Sequence, residues 1–387
     1  MVNFDSDLLD NWKIPLYKIY SDDEDLKMIS KIINRGTHWA IGPEIDEFEK
    51  AIADYLGRDY CLTLNSGTSA LHALFLGYGF DSNSEIIVPS FSFISTANSV
   101  LFVGAKPVFA DIEEEHFGLD PTSLQKTITP KTKAIVPMDY AGLSCKIFEI
   151  KEFAEQNNLI LIEDAAEAFG STVKKQKVGS VTESAIFSFA GNKVLTTGEG
   201  GAVVTDSREI YEKIKLIRSH GRQDLIRYFD NPNSSDYVGL GYNWRMSTLT
   251  AALGLSQLSK LEKLISLRQQ NANYLSSKLS KIKDIQIPKI PDGYEHIYQM
   301  YSILISNQTK RDNLHSFLSK KGIFSKIYFD PIHLTQFYKD KLGINVSLPV
   351  TEKISKHVLT LPMYPNMTHE EKNYLIDSIF EFFENED

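Results

Sequence analysis

The segment 187–205, FSFAGNKVLTTGEGGAVVT, orders the reading of the whole chain. Ile186–Phe189 and Ala202–Thr205 are short apolar runs, each expected to be a buried strand. Between them lie a turn of small residues, a single lysine (Lys193) and a glycine-rich turn. A lysine between two buried strands is a poor surface charge, and the glycines let a flat ligand approach the backbone. An amine in such a place loses its proton readily and can act as a Schiff-base nucleophile. The competing reading is a loop lysine paired with Glu199.

Upstream, the same kind of apolar run recurs: CLTL at 61–64, EIIVP at 85–89, KPVFAD at 106–111, KAIVPM at 133–138 and LILIED at 159–164. Helical segments separate them. Runs this apolar point to an α/β fold with a mostly parallel sheet covered on both faces, whose functional groups sit at the carboxyl ends of the strands. Two amphipathic helices precede the sheet. Ser21–Arg35 presents Leu26, Ile29, Ile32 and Ile33, and Pro43–Tyr55 presents Ile45, Phe48, Ile52 and Tyr55. A long helix is expected over Ser247–Leu279, followed by one strand, HIYQMYSILI (296–305), and helices near 310–321, 351–358 and 369–384. This later part reads as a smaller α/β domain. We therefore expect a large domain over residues 1–255 and a small C-terminal domain over 256–387.

Bulk properties narrow the function. At 387 residues and a formal net charge of −9, the chain is large enough for such a core and unsuited to general nucleic-acid or anionic-membrane binding. No apolar run approaches the length of a membrane span. The first ten residues, MVNFDSDLLD, lack the apolar stretch of an export signal. Cys61 and Cys145 stand far apart, outside any CxxC spacing, and read as buried thiols in a reducing cytoplasm. The nine histidines show no HExxH and no paired spacing, so no metal site is expected. No strand leads into GxGxxG, which argues against a dinucleotide-dependent dehydrogenase.

Two further segments carry chemistry. NSGTSALHALFLG at 65–77 follows a strand and opens a helix, where free amides, the helix dipole and the hydroxyls of Ser66 and Thr68 beside Gly67 suit an anion such as phosphate. An ordinary capped helix explains the same residues. Asp164 ends an apolar strand, where an acid caps the next helix, binds a metal or partners a cationic ring nitrogen; Glu167 stands beside it. A phosphate cradle, a strand-end aspartate and a buried-loop lysine together are what pyridoxal 5'-phosphate (PLP) requires. Phe91 or Phe93 would stack on its ring, the alternative being core packing.

Over nearly its whole length the sequence resembles the DegT/DnrJ/EryC1/StrS family of nucleotide-sugar aminotransferases, which has the type I PLP-dependent aminotransferase fold. The motifs are GPEIDEFEKAIADYLG, NSGTSALH, IIVPSFSFISTAN, GAKPVFADI, KTKAIVPMDYAG, IEDAAEAFGS, FSFAGNKVLTTGEGGAVVTD, GYNWRMS, AALGLSQL and LTLPMYPNMTHEE. The resemblance implies that Lys193 holds the cofactor as a Schiff base and Asp164 contacts its ring nitrogen. It also implies that Gly67, Thr68 and Ser188 bind the phosphate and Phe93 stacks on the ring. Asn243 would reach the phosphate of the neighbouring subunit, making a homodimer with shared active sites. Pyridoxamine phosphate would be the intermediate form, with a nucleotide sugar and L-glutamate as substrates.

Two positions depart from the family pattern. Glu167 replaces a Gln that faces the cofactor's phenolic oxygen in many members, and a carboxylate there repels a phenolate unless protonated. Trp244 stands where Tyr is usual. The lysine is retained, whereas dehydrating members carry His, so the resemblance implies amination. EDAAEAFGS with FSFAGNKVLTTGEGG looks most like members that aminate C4 of GDP-4-keto-6-deoxymannose to give GDP-perosamine. Amination at C4 or C3 of a UDP- or dTDP-linked keto sugar is the alternative, and a non-catalytic PLP-binding regulator is a rival of another class. His333 and Arg245 are candidates for substrate contact, with Arg222 and Lys326 as further basic groups.

Overall fold

The structure, a computed structural model, describes residues 12–223 and 230–384. The stretch read above for an export signal lies outside these residues. All seven apolar runs are strands of one sheet: β1 (Tyr60–Leu64), β2 (Glu85–Pro89), β3 (Lys106–Ala110), β4 (Thr132–Ile135), β5 (Ile160–Asp164), β8 (Ser184–Ser188) and β9 (Gly201–Thr205). A short hairpin, β6 (Thr172–Val173) and β7 (Gln176–Lys177), interrupts the count between β5 and β8. The order across the sheet is β1-β9-β8-β5-β4-β2-β3. β9 runs antiparallel to both its neighbours, and the pairs from β8 to β3 are parallel. The fold is thus α/β with a mostly parallel mixed sheet, as the apolar runs predict.

Alternation along β5 explains how the sheet is both buried and functional. Ile162 packs with the core on the side of helix α3 (Gly67–Gly77), while Leu161 packs into the core on the other face. Asp164 therefore emerges on the α3 side and Glu163 on the opposite one. Because parallel strands share a direction, the carboxyl ends of β5 and β8 open at one edge. The start of α3 meets them there.

Helices α1 (Asp23–Arg35) and α2 (Pro43–Leu56) form as the spacing predicts, each stopped by a left-handed glycine, Gly36 and Gly57. Only one of the apolar positions of α1 is fully buried, however. Ile32 is buried, whereas Leu26 is 68% and Ile33 49% exposed. Two other expectations need correction. The helix expected over Ser247–Leu279 is two helices, Thr248–Ser259 and Leu261–Leu279, broken at Lys260, whose half-buried side chain pairs with Asp22 and Asp25. The strand expected over 296–305 forms only at Tyr301–Ile305. Tyr298 has a positive φ of 51°, and the Ile297 and Met300 amides donate to the Gly142 and Ala141 carbonyls beside the main sheet.

Tyr301–Ile305 pairs antiparallel with Ile285–Gln286 and Val358–Leu361. That three-stranded sheet packs with the helices Gln308–Lys320 and His369–Glu384 through a separate core containing Tyr301, Ile303, Leu314, Leu359 and Ile379. Cys61 and Cys145 are buried and unpaired with each other, and burial pushes both thiols well above their ordinary range.

Candidate active site

At the carboxyl ends of β5 and β8 lies a cavity of about 510 Å³. Its lining includes Ser66, Gly67, Thr68, Phe93, Asp164, Glu167, Ser188 and Lys193. The segments 65–77, 159–171 and 187–205, read separately in the sequence, therefore meet at one place.

The α3 end is held against the strands at backbone distance. Ser66 caps the helix, its hydroxyl accepting from the Ser69 N–H at 3.1 Å, which spends that side chain locally. A Cβ on Gly67 would lie 3.0 Å from the Cβ of Ser188, and one on Gly201 would lie 2.5 Å from the Ser66 carbonyl carbon. Glycine at both positions lets the helix start, with its free amides and positive dipole end, rest on the strand ends.

Asp164 is 3% exposed. Its oxygens accept from the Thr96 hydroxyl at 2.7 Å and the Ala166 N–H at 3.3 Å, both neutral donors. Burial pushes this carboxyl up to about 6, against the pull of those hydrogen bonds and of the Lys193 charge. A buried acid served by neutral donors at a cavity wall is well placed to receive a cationic N–H. Lys193 Nζ lies 3.4 Å from Glu167 Oε1, and Glu167 Oε2 accepts from the Ala141 N–H at 2.9 Å. The lysine's partner is thus Glu167 rather than Glu199, which lines the cavity mouth.

The two phenylalanines separate cleanly. Phe91 is fully buried against Tyr140, Phe117 and Phe329, while Phe93 lines the cavity and is 59% exposed. Asn243, Arg245 and His333 do not line it. Asn243 is exposed beside Ser219, and Arg245 donates to the Ser219 hydroxyl at 3.1 Å. His333 is buried, with Nδ1 2.6 Å from the Ser90 hydroxyl, and burial lowers its pKa. Arg222 likewise lies away from the cavity, near Ser219, whereas Lys326 is part of its wall.

A family model for the DegT/DnrJ/EryC1/StrS aminotransferase family matches residues 20–380. The chain belongs to this family. It is 35% identical over 348 residues to a GDP-perosamine synthase of Caulobacter vibrioides, covering 89% of this chain and 91% of that one. It is 34% identical to a UDP-4-amino-4,6-dideoxy-N-acetyl-beta-L-altrosamine transaminase of Campylobacter jejuni, covering 89% and 90%. Helicobacter pylori PseC, an aminotransferase of pseudaminic acid biosynthesis, superposes with a TM-score of 0.89 at 31% identity, covering 97% and 99%. The chain is accordingly a PLP-dependent sugar aminotransferase.

The donor set fits this family's cofactor. A helix start with glycine at the point of closest approach suits the phosphate, a buried carboxylate suits a protonated ring nitrogen, and a half-buried amine suits an aldehyde. Sequence reasoning missed Thr96, which orients Asp164, and the wall formed by Tyr17, Tyr328 and Phe329. Thr96 stands in PSFSFISTAN without any spacing that marks it, and the wall residues come from distant parts of the chain.

Proposed function

We propose that this enzyme transfers the amino group of L-glutamate to C4 of GDP-4-keto-6-deoxymannose, giving GDP-perosamine. The observation that carries the site assignment is the meeting of the α3 start, Asp164 and Lys193 in a single cavity. The GDP-linked sugar is supported by the resemblance to perosamine synthases. A UDP-linked sugar aminated at C4 is the second reading, favoured by the Campylobacter relative at nearly equal identity.

Each residue has a role in this reading. Lys193 is the amine that would hold PLP through its aldehyde, and it would carry a proton between the reacting carbons as base and then acid. When bound, PLP supplies the sink that stabilises a substrate carbanion. Asp164, oriented by Thr96, keeps the ring nitrogen protonated. Gly67, Thr68 and Ser188, with Ser66 capping the helix, would hold the phosphate. Phe93, exposed at the cavity wall, would offer its aromatic face to the ring. Glu167, 3.4 Å from Lys193 Nζ, would hold the lysine side chain in place.

A homodimer suits the surface. Leu26 and Ile33 of α1, with Trp39, Phe102 and Leu240, are large apolar groups left exposed on a single chain. In the dimer, Asn243 would serve the partner's cofactor phosphate. We assign His333 to packing and keep Arg245 as a substrate contact only within such a dimer. The division into residues 1–255 and 256–387 and a cytoplasmic setting belong to the same proposal.

The test offers glutamate with GDP-, UDP- and dTDP-linked 4-keto-6-deoxy sugars and identifies the amino sugar formed. Preferential turnover of the GDP sugar is expected. Turnover only with a 3-keto sugar would overturn C4 amination, and cofactor binding without any conversion would leave a regulator.

A further inference from the structure

Gln299 is 5% exposed and lies in the segment that leaves the small sheet to touch the main one. Its Oε1 accepts from the Val194 N–H at 2.8 Å, and its Nε2 donates to the Asn192 carbonyl at 2.8 Å. These are the two peptide groups on either side of Lys193. One side-chain amide thus satisfies both, much as a neighbouring strand would, and its donor and acceptor fit in one orientation only.

The same segment also holds the partner of the lysine. The Met300 N–H donates to the Ala141 carbonyl at 3.2 Å, and the Ile297 N–H to the Gly142 carbonyl at 3.1 Å. The Ala141 N–H in turn donates to Glu167, which pairs with Lys193. A closed circuit runs from Gln299 through Lys193, Glu167 and Ala141 back to Met300. Gly142 makes the approach feasible, since a Cβ there would lie 2.9 Å from the Gln299 backbone nitrogen and 2.6 Å from Ile297 Cγ1. Arg268, buried, fixes the segment from behind by donating to the Tyr298 carbonyl at 3.0 Å and the Met363 carbonyl at 3.2 Å.

We propose that Gln299 is a positioning residue that sets the direction of the Lys193 side chain toward Glu167 and the cofactor. The proposal rests on Lys193 being the cofactor lysine. Removing the amide leaves the Val194 N–H, on a residue 5% exposed, without its partner, so the loop must shift to find another. A shift of that kind moves the reacting nitrogen rather than the binding walls.

The experiment uses the PLP-loaded enzyme and two variants. Gln299→Met keeps the volume and loses both hydrogen bonds. Gln299→Glu keeps the acceptor and regains a donor only when protonated. For Gln299→Met we expect the pH at which the cofactor absorption band changes to move by roughly half a unit or more. We also expect kcat to fall about ten- to a hundredfold, with KM for the keto sugar within about threefold. For Gln299→Glu, acidification is expected to return band and kcat toward the wild type.

A lowered melting temperature with band and kcat unchanged would mark a purely structural clip and overturn the proposal. Should Gln299→Met fail to fold, Gln299→Glu decides: recovery on acidification supports the proposal, and its absence overturns it. Borohydride trapping in the wild type tests the underlying reading separately. Label on a peptide lacking Lys193 overturns both. Label on Lys193 with unaltered variants overturns only the role of Gln299.

Discussion

The cavity has two walls of different origin. One is made by the strand ends and the α3 start, where Ser66–Thr68, Asp164, Ser188 and Lys193 come from three continuous motifs. The other is made by Tyr17, Lys326, Tyr328 and Phe329, which return from remote parts of the chain. On the first wall the polar groups have defined neutral or charged partners, as at Asp164 with Thr96 and Lys193 with Glu167. The second is mostly aromatic and carries one exposed cation, Lys326, whose ammonium lies 4.4 Å from the centre of the Tyr328 ring. The difference suggests a division of labour: chemistry on the motif wall, substrate choice on the returning wall.

Replacing Lys193 gives the strongest test of that division. Lys193→Ala should lose transamination by about 10⁴-fold or more, because no other amine stands at that position to condense or move the proton. Absorbance and borohydride labelling check it, and normal turnover by this variant would end the assignment. Asp164→Asn comes next, with kcat reduced roughly 10²–10⁴-fold and PLP still attached to Lys193. If the loss appeared in the sugar KM instead, Asp164 would belong with substrate recognition and the contrast between the walls would fail.

The first wall was legible because each of its pieces is local. LILIED ends in an acid, FSFAGNK ends in a lysine, and NSGTS opens a helix after a strand; all three statements need only a few neighbouring residues. Likewise the seven apolar runs became seven strands, since burial on both faces leaves an unmistakable composition. The returning wall had no such signature. HIYQMYSILI reads as one uninterrupted strand, and only tertiary contact turns its first half aside, so that Gln299 meets residues more than a hundred positions earlier. The long helix failed similarly: it breaks at Lys260, whose side chain pairs with Asp22 and Asp25, residues no local pattern connects to it. The apolar stripe of α1 was read correctly as a stripe, but a sequence cannot say whether a stripe faces the chain's own core or solvent.

Smaller effects sharpen the comparison. Gly201→Ala places a Cβ against the Ser66 backbone, so α3 must withdraw and its amides leave the phosphate. We expect PLP affinity to fall by roughly tenfold, measured by equilibrium titration of apoenzyme, with the sugar KM of the saturated enzyme little altered. Lys326→Ala should do the reverse. An exposed cation facing a charged substrate is screened by water and salt, so the expected change is a rise in sugar KM of about three- to tenfold, diminishing with ionic strength, with PLP affinity unaltered. Equal effects of the two variants on both quantities would erase the distinction between the walls.

The last contrast lies within one strand. Glu163 and Asp164 are adjacent, yet Glu163 faces away from the cavity and meets Asp139 in a site where both are fully buried. Asp139 Oδ1 accepts from the Cys145 N–H and Glu163 Oε2 from the Gly179 N–H, each at 2.8 Å, while Asp139 Oδ2 and Glu163 Oε1 are buried without a partner. Two fully buried carboxyls, each with an unpartnered oxygen, resist full ionisation through desolvation and mutual repulsion, so the pair favours keeping one proton. Burial pushes Asp139 up to about 7 and raises Glu163 as well, although the Arg58 charge opposes the latter. The folded pair therefore keeps a proton that the unfolded chain releases in the ordinary carboxylate range near 3.8. Above the ordinary carboxylate range the native state binds more protons than the unfolded chain, so the pair's contribution to stability falls as the pH rises from about 4. The slope from one proton is at most roughly 1.4 kcal/mol per pH unit. Asp139→Asn replaces the retained proton with an amide donor and should flatten that part of the curve in urea titrations at several pH values. An unchanged slope would mean that this pair does not keep a proton, and that the two faces of β5 are electrostatically more alike than their geometry implies.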